Sequence, residues 1–322
     1  MSKQFVRDLK DREAVESIFL AADKMILTDR NGKSYMSFNL ADASGTINAR
    51  IWEKVDEISK VFEPGDFVRV KGFVQTYQNR RQVIVQDLNK ADSSLVALKD
   101  FVGAAVTDPQ EMFDQLITLT TTFEDAHIRD LTLSVLNDAE LKPRLLKAPA
   151  AKSIHHAYMG GLLEHVLSIC GTMNFLASHY TFLNRDLLLF GAIFHDIGKV
   201  WELSIEDGIK YTDRGRLVGH MAIACEMIDE KSRGIFGFPV ALKDALKHIV
   251  LSHHGKLEYG SPKEPAFPEA IVVAMIDDLD SKLNTVVGFM RQELGTGENW
   301  SRFHPQFDRY FYLDFLRGKE RD

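Results

Sequence analysis

The chain contains 322 residues, of which 45% are hydrophobic and 26% are charged. This length exceeds that of one typical domain, and the composition excludes a disordered chain, because enough apolar side chains are present for a core. The two cysteines, Cys170 and Cys225, lie in apolar helical patterns and predict neither a disulfide framework nor a thiolate zinc site, as is typical of a cytoplasmic protein. Neither a signal peptide nor an apolar run of about 18 residues is present, so we expect no membrane partner.

The net charge of −7 is unevenly distributed along the chain. Residues 1–90 hold 15 basic and 13 acidic side chains, whereas the remainder holds 24 basic and 33 acidic ones. Polyanion binding is therefore expected to begin in the amino-terminal part. Ordinary fluctuation of surface charge explains these numbers equally well.

Residues 14–90 alternate between short β-rich stretches and turn signals. The predicted strands are Ala14–Thr28, Ser34–Leu40, Thr46–Trp52, Phe67–Tyr77 and Gln82–Leu88. Between the third and fourth strands, Glu53–Phe62 has helical spacing, and this order of elements is that of an OB-fold barrel. The segments Asp42–Ile47 and Phe67–Gly72 resemble the OB domains of anticodon-binding and single-strand-binding proteins.

OB barrels bind single strands through aromatic stacking and basic side chains that follow the backbone. The nucleic-acid-binding candidates are Lys33, Phe38, Arg50, Trp52, Lys71, Phe73, Tyr77, Arg80 and Arg81. About half of the aromatic candidates are expected to fill the barrel interior. Tyr35 and Phe38 lie on opposite faces of their strand, so at most one of them faces outwards.

The remaining chain predicts a linker followed by helices. Residues 1–90 are assigned to the OB domain and residues 91–110 to the linker, in which Asp108 and Pro109 form a helix start. Residues 111–322 are predicted to be an all-α domain. The fold class is therefore multidomain, with a small all-β barrel followed by a helical bundle.

The helical region contains the motif His195-Asp196-Ile197-Gly198-Lys199 at the end of an apolar run that starts at Leu187. A buried ionised carboxylate costs several kcal/mol unless it is paired or bound to metal. Further possible metal ligands occur in apolar or glycine-rich surroundings: His165, His220, His253, His254 and Asp277. Imidazoles and carboxylates together suit divalent first-row metals, and the carboxylates also admit magnesium.

Asp196 is the predicted bridge between two ions in a phosphoester-hydrolysing site. One ion is assigned to His165, His195 and Asp277, and the other to His220 and His253. The role of His254 stays open between ligand, supporting group and substrate contact.

Other residues near the motif have supporting roles. Lys199 is predicted to stabilise charge on phosphoryl oxygens as a catalytic residue beside Asp196, although a solvent-facing lysine at a helix end is the alternative. Asp280 lies one helical turn from Asp277 and is a candidate supporting group. His155 and His156 are assigned to the mouth of the pocket, with capping or packing as the alternative.

These motifs resemble the HD superfamily of metal-dependent phosphohydrolases, which have an all-helical fold. More narrowly, the segments His155–Tyr158, Gly160–His165 and Ser252–Pro262 look like the YhaM-type 3′-5′ exoribonucleases, which join an OB domain to an HD domain. The resemblance implies single-stranded RNA as substrate, a manganese-type metal requirement and assembly into a homo-oligomer. We expect two ions, Mn²⁺ first, with Mg²⁺, Co²⁺, Fe²⁺, Ni²⁺ or Zn²⁺ as alternatives.

The leading functional hypothesis is a 3′-5′ exoribonuclease that releases nucleoside 5′-monophosphates from single-stranded RNA, with single-stranded DNA left open. One alternative is an HD phosphohydrolase of small or cyclic nucleotides. Another is a nucleic-acid-binding protein without catalysis.

The carboxyl-terminal region is dense in aromatic residues. They are Trp300, Phe303, Phe307, Tyr310, Phe311, Tyr312 and Phe315. Aromatic side chains are favoured at interface cores, so the tail is predicted to contribute to a homo-oligomer. The alternative is that it folds back over the HD helices.

Overall fold

The structure is a computed structural model that describes residues 3–29, 31–77, 80–92, 96, 100–101, 107–150, 158–205 and 209–319, without the side chains at 296 and 319. The chain divides into two compact units. The barrel unit comprises the described parts of 1–103 and 284–322, and the helical unit comprises those of 104–205 and 209–283.

Five strands form a closed barrel. They are β1 (Ala14–Thr28), β2 (Ser34–Asp42), β3 (Gly45–Ile51), β4 (Phe67–Tyr77) and β5 (Arg80–Lys90). Their order around the barrel is β1-β2-β3-β5-β4, and only the β3–β5 pair is parallel. Alternate side chains fill the interior, as Met36, Phe38 and Leu40 do from β2. The predicted five-stranded barrel is confirmed.

Helix α1 covers Val55–Ile58 and lies between β3 and β4, as predicted. It is shorter than the expected segment Glu53–Phe62. Lys54, which precedes it, has a left-handed backbone, and Glu63 N donates a hydrogen bond of 2.9 Å to Asp66 Oδ2 in the turn before β4.

The carboxyl-terminal residues group with the barrel, whereas the sequence placed them with the helical domain. The Glu293 carboxylate is buried and accepts hydrogen bonds from Arg80 Nη2 at 2.9 Å and from Arg302 N at 3.0 Å. Trp300 and Tyr312 pair as an isolated antiparallel bridge. Glu293 therefore links Arg80 of β5 to Arg302 at the start of the tail.

The helical unit begins at the predicted cap, since Asp108 accepts a hydrogen bond of 2.7 Å from Gln110 N. Its helices are α2 (Pro109–Thr121), α3 (Ala126–Leu136), α4 (Leu141–Leu145), α5 (Gly161–His179), α6 (Arg185–Phe194), α7 (Lys199–Glu202), α8 (Asp213–Leu217), α9 (His220–Ser232), α10 (Val240–Ser252) and the first part of α11 (Pro268–Glu293). The last helix among the described residues, α12 (Asp314–Lys319), belongs to the barrel unit. Two short strands, β6 (Leu203–Ser204) and β7 (Lys210–Tyr211), were not predicted.

Helix α6 lies in the core of the helical unit and presents the HD motif at its end. Phe190 and Phe194 are completely buried and stack with ring centroids 4.1 Å apart. Burial of each such side chain contributes about 1.5–3 kcal/mol to stability. Gly191 permits close packing, because a Cβ there would lie 2.4 Å from Val273 Cγ2 on α11. The sequence motif therefore follows a largely buried, closely packed helix of this unit.

No helix in the described ranges is both long and apolar enough to cross a membrane.

Candidate functional site

Four predicted ligands from three parts of the helical unit converge in one buried cluster. His165 lies on α5, His195 and Asp196 follow α6, and Asp277 lies on α11. His165 Nε2 is 3.2 Å from both His195 Nε2 and Asp277 Oδ1. His195 Nε2 is 3.4 Å from Asp196 Oδ2. One ligand atom from each of the four residues lies within 4.8 Å of the others, so together they could hold one cation.

The second carboxylate oxygen of Asp196 faces a second group of imidazoles. Asp196 Oδ1 is 3.6 Å from His220 Nε2 and 3.8 Å from His253 Nε2. All three atoms are buried, and none has a hydrogen-bond partner among the described residues. Because buried polar atoms are normally satisfied, three unsatisfied electron-pair donors that face one another fit a cation. His254 groups with His220 and His253 and could supply a third imidazole.

Each of these imidazoles is oriented through its other ring nitrogen, which lies within hydrogen-bond distance of an acceptor. The Nδ1 partners are Asp280 Oδ2 for His165 (2.8 Å), Ala192 O for His195 (3.0 Å), Glu202 Oε1 for His220 (3.1 Å), Val250 O for His253 (2.7 Å) and Tyr259 O for His254 (3.0 Å). With the proton on Nδ1, each Nε2 presents a lone pair to the centre, as a metal ligand requires.

Two of these supporting groups are carboxylates. Asp280 is the group that the spacing from Asp277 suggested, and Ser168 Oγ also donates to it, at 2.6 Å. Glu202 was not predicted. Its only sequence signal is its position one turn after Lys199, because its contact with His220 depends on the fold between them.

The surroundings of the cluster favour an ionised Asp196 carboxylate and a neutral His253 ring. Burial alone would raise the pKa of Asp196, but the charges of Lys199 and His195 hold it well below its usual value. Burial, assisted by the charge of His195, lowers the pKa of His253 to about 3.

His165 has the opposite balance. Burial alone would lower its pKa, but hydrogen bonds with Asp277 and Asp280 outweigh burial and raise the pKa to about 9. A divalent cation at His165 would supply the positive charge that these carboxylates attract.

Lys199 points into this site. Its Nζ donates hydrogen bonds to Asp196 Oδ2 at 2.6 Å and to Ala150 O at 2.7 Å. The lysine begins α7, and its side chain is 17% exposed, so the alternative of a solvent-facing lysine at a helix end does not describe it. Its ammonium is therefore held beside the Asp196 carboxylate, within the cluster.

Gly198 allows the HD motif to approach His220. A Cβ at this position would lie 2.1 Å from His220 O, which is a backbone atom and cannot rotate away. The glycine of the motif is therefore a packing requirement of the second histidine group.

The outward face of the barrel carries a connected aromatic group. Tyr35 and Trp52 stack with ring centroids 4.6 Å apart and an interplanar angle of 20°. The Arg50 guanidinium lies 5.6 Å from the Tyr35 ring and 5.9 Å from the Tyr77 ring. Phe73 is also exposed on β4. We name Tyr35, Arg50, Trp52 and Tyr77 the aromatic face.

Phe38 is not part of this face and was wrongly assigned to nucleic-acid binding. It is 1% exposed and packs inside the barrel, with its ring centroid 5.2 Å from that of Phe62. Strand alternation therefore points Tyr35 outwards, a residue that the sequence reasoning left without a role.

Most of the predicted basic contacts are already engaged. Arg80 binds the Glu293 carboxylate, Arg81 donates to Leu9 O, and Lys71 pairs with Glu16 at 3.0 Å. Lys33 is exposed. The contact of Arg80 with Glu293 was not predicted, and its phosphate contact stays a prediction. The predicted pocket residues His155 and His156 lie outside the described residues.

Family comparisons agree with this division. The sequence matches the HD domain family over residues 162–282 and the family described as an OB-fold nucleic acid binding domain over residues 20–91. The helical unit therefore contains a metal-dependent phosphohydrolase domain, and the barrel is a nucleic-acid-binding domain.

Curated relatives match nearly the whole chain. The 3′-5′ exoribonuclease YhaM of Geobacillus sp. (strain WCH70) is 34% identical over 88% of this chain and 86% of its own length. The protein of the same name from Halalkalibacterium halodurans is 33% identical over 93% of each chain. Among solved structures, the second OB-fold domain of replication protein A from Methanococcus maripaludis covers 30% of this chain and 100% of its own, with 18% identity and a TM-score of 0.24.

Proposed function

The chain belongs to the YhaM family of 3′-5′ exoribonucleases, and from that premise we propose that its helical unit hydrolyses single-stranded RNA stepwise from the 3′ end, releasing nucleoside 5′-monophosphates. One observation carries the assignment of chemistry to this unit. The two oxygens of Asp196 face two separate groups of imidazole Nε2 atoms, and the buried donors of the second group have no hydrogen-bond partner among the described residues.

We further propose that two divalent cations, Mn²⁺ first, occupy these groups. His165, His195 and Asp277 would hold one, His220, His253 and His254 the other, and Asp196 would contribute one oxygen to each. Such cations supply Lewis acidity at phosphoryl oxygens and lower the pKa of water.

The remaining residues position the reacting groups. Carbonyls and carboxylates at the Nδ1 atoms fix the rings, so that little reorganisation is needed during reaction. Lys199 keeps a positive charge beside Asp196, because that carboxylate raises the pKa of the lysine against the effect of burial. Its ammonium is therefore available to neutralise a phosphoryl oxygen.

The aromatic face of the barrel is proposed to hold the strand by stacking of bases on Tyr35 and Trp52, with Arg50 near the backbone phosphates. The same surface accepts any base, so RNA selectivity is not assigned to it. Self-association through the tail and a cytoplasmic location also remain proposals; the free, buried Cys170 and Cys225 fit a reducing compartment.

The test uses single-stranded RNA labelled at its 5′ end. With Mn²⁺ we expect a ladder that shortens one nucleotide at a time from the 3′ end, with nucleoside 5′-monophosphates as product, and no cleavage after chelation by EDTA. Turnover confined to mononucleotides or cyclic dinucleotides would instead support a small-molecule phosphohydrolase. Binding without turnover would refute the catalytic proposal.

A further inference from the structure

Each half of the histidine cluster contains one imidazole supported by a carboxylate, and the other imidazoles are supported by backbone carbonyls. In the first half, His165 faces Asp280 at 2.8 Å, whereas the Nδ1 of His195 faces a carbonyl of its own helix. In the second half, His220 faces Glu202 at 3.1 Å, whereas the Nδ1 of His253 faces a carbonyl. A carboxylate behind an imidazole raises its basicity as a ligand and fixes its tautomer.

Glu202 holds His220 at two points. Glu202 Oε1 accepts the backbone N–H of His220 at 3.0 Å, and both carboxylate oxygens lie 3.1 Å from Nδ1 of the ring. The carboxylate thereby joins the end of α7 to the start of α9, the two helices that flank residues 203–219. The backbone of Glu202 is fixed in turn, because its carbonyl accepts a hydrogen bond of 2.9 Å from Thr212 N.

We propose that Glu202 is a positioning residue that keeps the His220 proton on Nδ1 and the Nε2 lone pair toward Asp196. Asp280 has the same role for His165, so each carboxylate sets the cation affinity of its own half. This inference rests on the proposed metal centre.

The two carboxylates differ in how well an amide could replace them. In Glu202→Gln, an NH₂ group replaces an oxygen 3.1 Å from Nδ1, so two donors meet unless the ring proton moves to Nε2. In Asp280→Asn, the NH₂ can turn to Ser168 Oγ while the amide oxygen still accepts from His165. Removal of a carboxylate that supports a ligand ring typically lowers metal affinity about 10- to 100-fold. We therefore expect a loss of Mn²⁺ affinity near the upper end of this range for Glu202→Gln and near the lower end for Asp280→Asn.

The experiment titrates the purified full-length chain with Mn²⁺ by calorimetry, and electron paramagnetic resonance counts the bound ions. The wild type should bind two ions, and each variant should weaken one of them. Glu269→Gln is the matched control. Like Glu202, Glu269 is 8% exposed and accepts a backbone N–H (of Asn184, at 2.7 Å), so its substitution should leave both affinities unchanged.

The same two substitutions, repeated in the His220→Ala variant, show which half of the histidine cluster each one affects. In His220→Ala, the added Glu202→Gln change should have no further effect on Mn²⁺ affinity, whereas Asp280→Asn should still weaken the remaining ion. If Glu202→Gln weakens binding equally in the presence and absence of the His220 ring, its effect is a general loss of structure and the inference is wrong.

Nitrogen NMR of the histidine rings gives a readout that needs no metal. The wild type should show His220 as the Nδ1–H tautomer, and Glu202→Gln should shift it toward Nε2–H. An unchanged tautomer would overturn the positioning role of Glu202. A wild type that binds no Mn²⁺ would refute the proposed metal centre, and the NMR result would still decide whether Glu202 positions the ring.

Discussion

The histidine cluster of the helical unit and the aromatic face of the barrel differ in how far their geometry is fixed before a ligand binds. In the cluster, the donor atoms are mostly buried and each ring is held at Nδ1 by an acceptor. On the barrel, Tyr35 and Trp52 are half-buried and are held by each other. Phosphodiester chemistry requires placement to within a fraction of an ångström, whereas stacking of a single strand tolerates different bases and small movements.

Substitution of Asp196 should separate catalysis from RNA binding most strongly. Asp196→Asn removes the charge shared by the two histidine groups, and we expect kcat to fall on the order of 10³-fold or more. Bound manganese, measured by mass spectrometry, should fall with it. The affinity for single-stranded RNA should stay within about twofold, because binding is assigned to the barrel. A variant that retains wild-type kcat would remove Asp196 from the mechanism.

Gly198→Ala is expected to have the next largest effect. The new Cβ would lie 2.1 Å from His220 O and must displace the start of α9, and a shift near 1 Å can cost about 100-fold in rate. Gly171→Ala is the control, because this helical glycine of the same unit has no atom within 4 Å of the position of a Cβ. It should keep full activity and gain roughly 0.5–1 kcal/mol of stability. Equal activity of the two variants would contradict the packing argument.

Trp52→Ala tests the barrel alone when it is made in the inactive Asp196→Asn background. Loss of one stacking platform should weaken binding of single-stranded RNA by about 1–3 kcal/mol, measured by fluorescence anisotropy. Phe236→Ala removes an aromatic ring of the helical unit that is 100% exposed, and it should leave the affinity unchanged. If both substitutions reduce binding equally, the aromatic face is not the specific platform.

The smallest effects are expected for alanine substitutions of Arg50 and Arg80, which should differ in the salt dependence of RNA affinity. Arg50→Ala should lower RNA affinity several-fold and reduce the slope of affinity against salt by about one unit. Arg80→Ala should leave this slope unchanged, because its guanidinium is held by Glu293. It should instead lower the melting temperature slightly. A reduced salt slope for Arg80→Ala would instead support the phosphate contact that the sequence predicts for Arg80.

The barrel could be predicted from sequence because its strands carry local signals. Alternation of apolar residues and turn residues placed the ends of all five strands within two positions of those observed. Alternation could not decide whether Tyr35 or Phe38 faces outwards, because the two faces are distinguished only when the sheet closes. The roles of Arg80 and of the tail depend on a contact across 213 residues, which no local pattern reports.

The ligand residues of the candidate site could likewise be predicted from the sequence, but not all of the groups that support them. The motif and the separate histidines identify the ligand residues directly, because few other arrangements place imidazoles and carboxylates in apolar helices. Glu202 was missed because an acidic residue one turn after Lys199 is common on helix surfaces. Only the return of the chain from residue 203 to residue 219 brings His220 onto that carboxylate.

The division of binding and chemistry is tested most directly by the kinetics of Trp52→Ala on two substrates. A dinucleotide offers one phosphodiester bond and few bases for stacking, whereas a long single-stranded RNA offers many. We expect KM for the long RNA to rise about tenfold, as one stacking contact of roughly 1.4 kcal/mol implies, with unchanged kcat and unchanged kcat/KM for the dinucleotide. An equal fall of kcat/KM on both substrates would show that the aromatic face acts in the chemical step and would contradict its assignment to RNA binding alone.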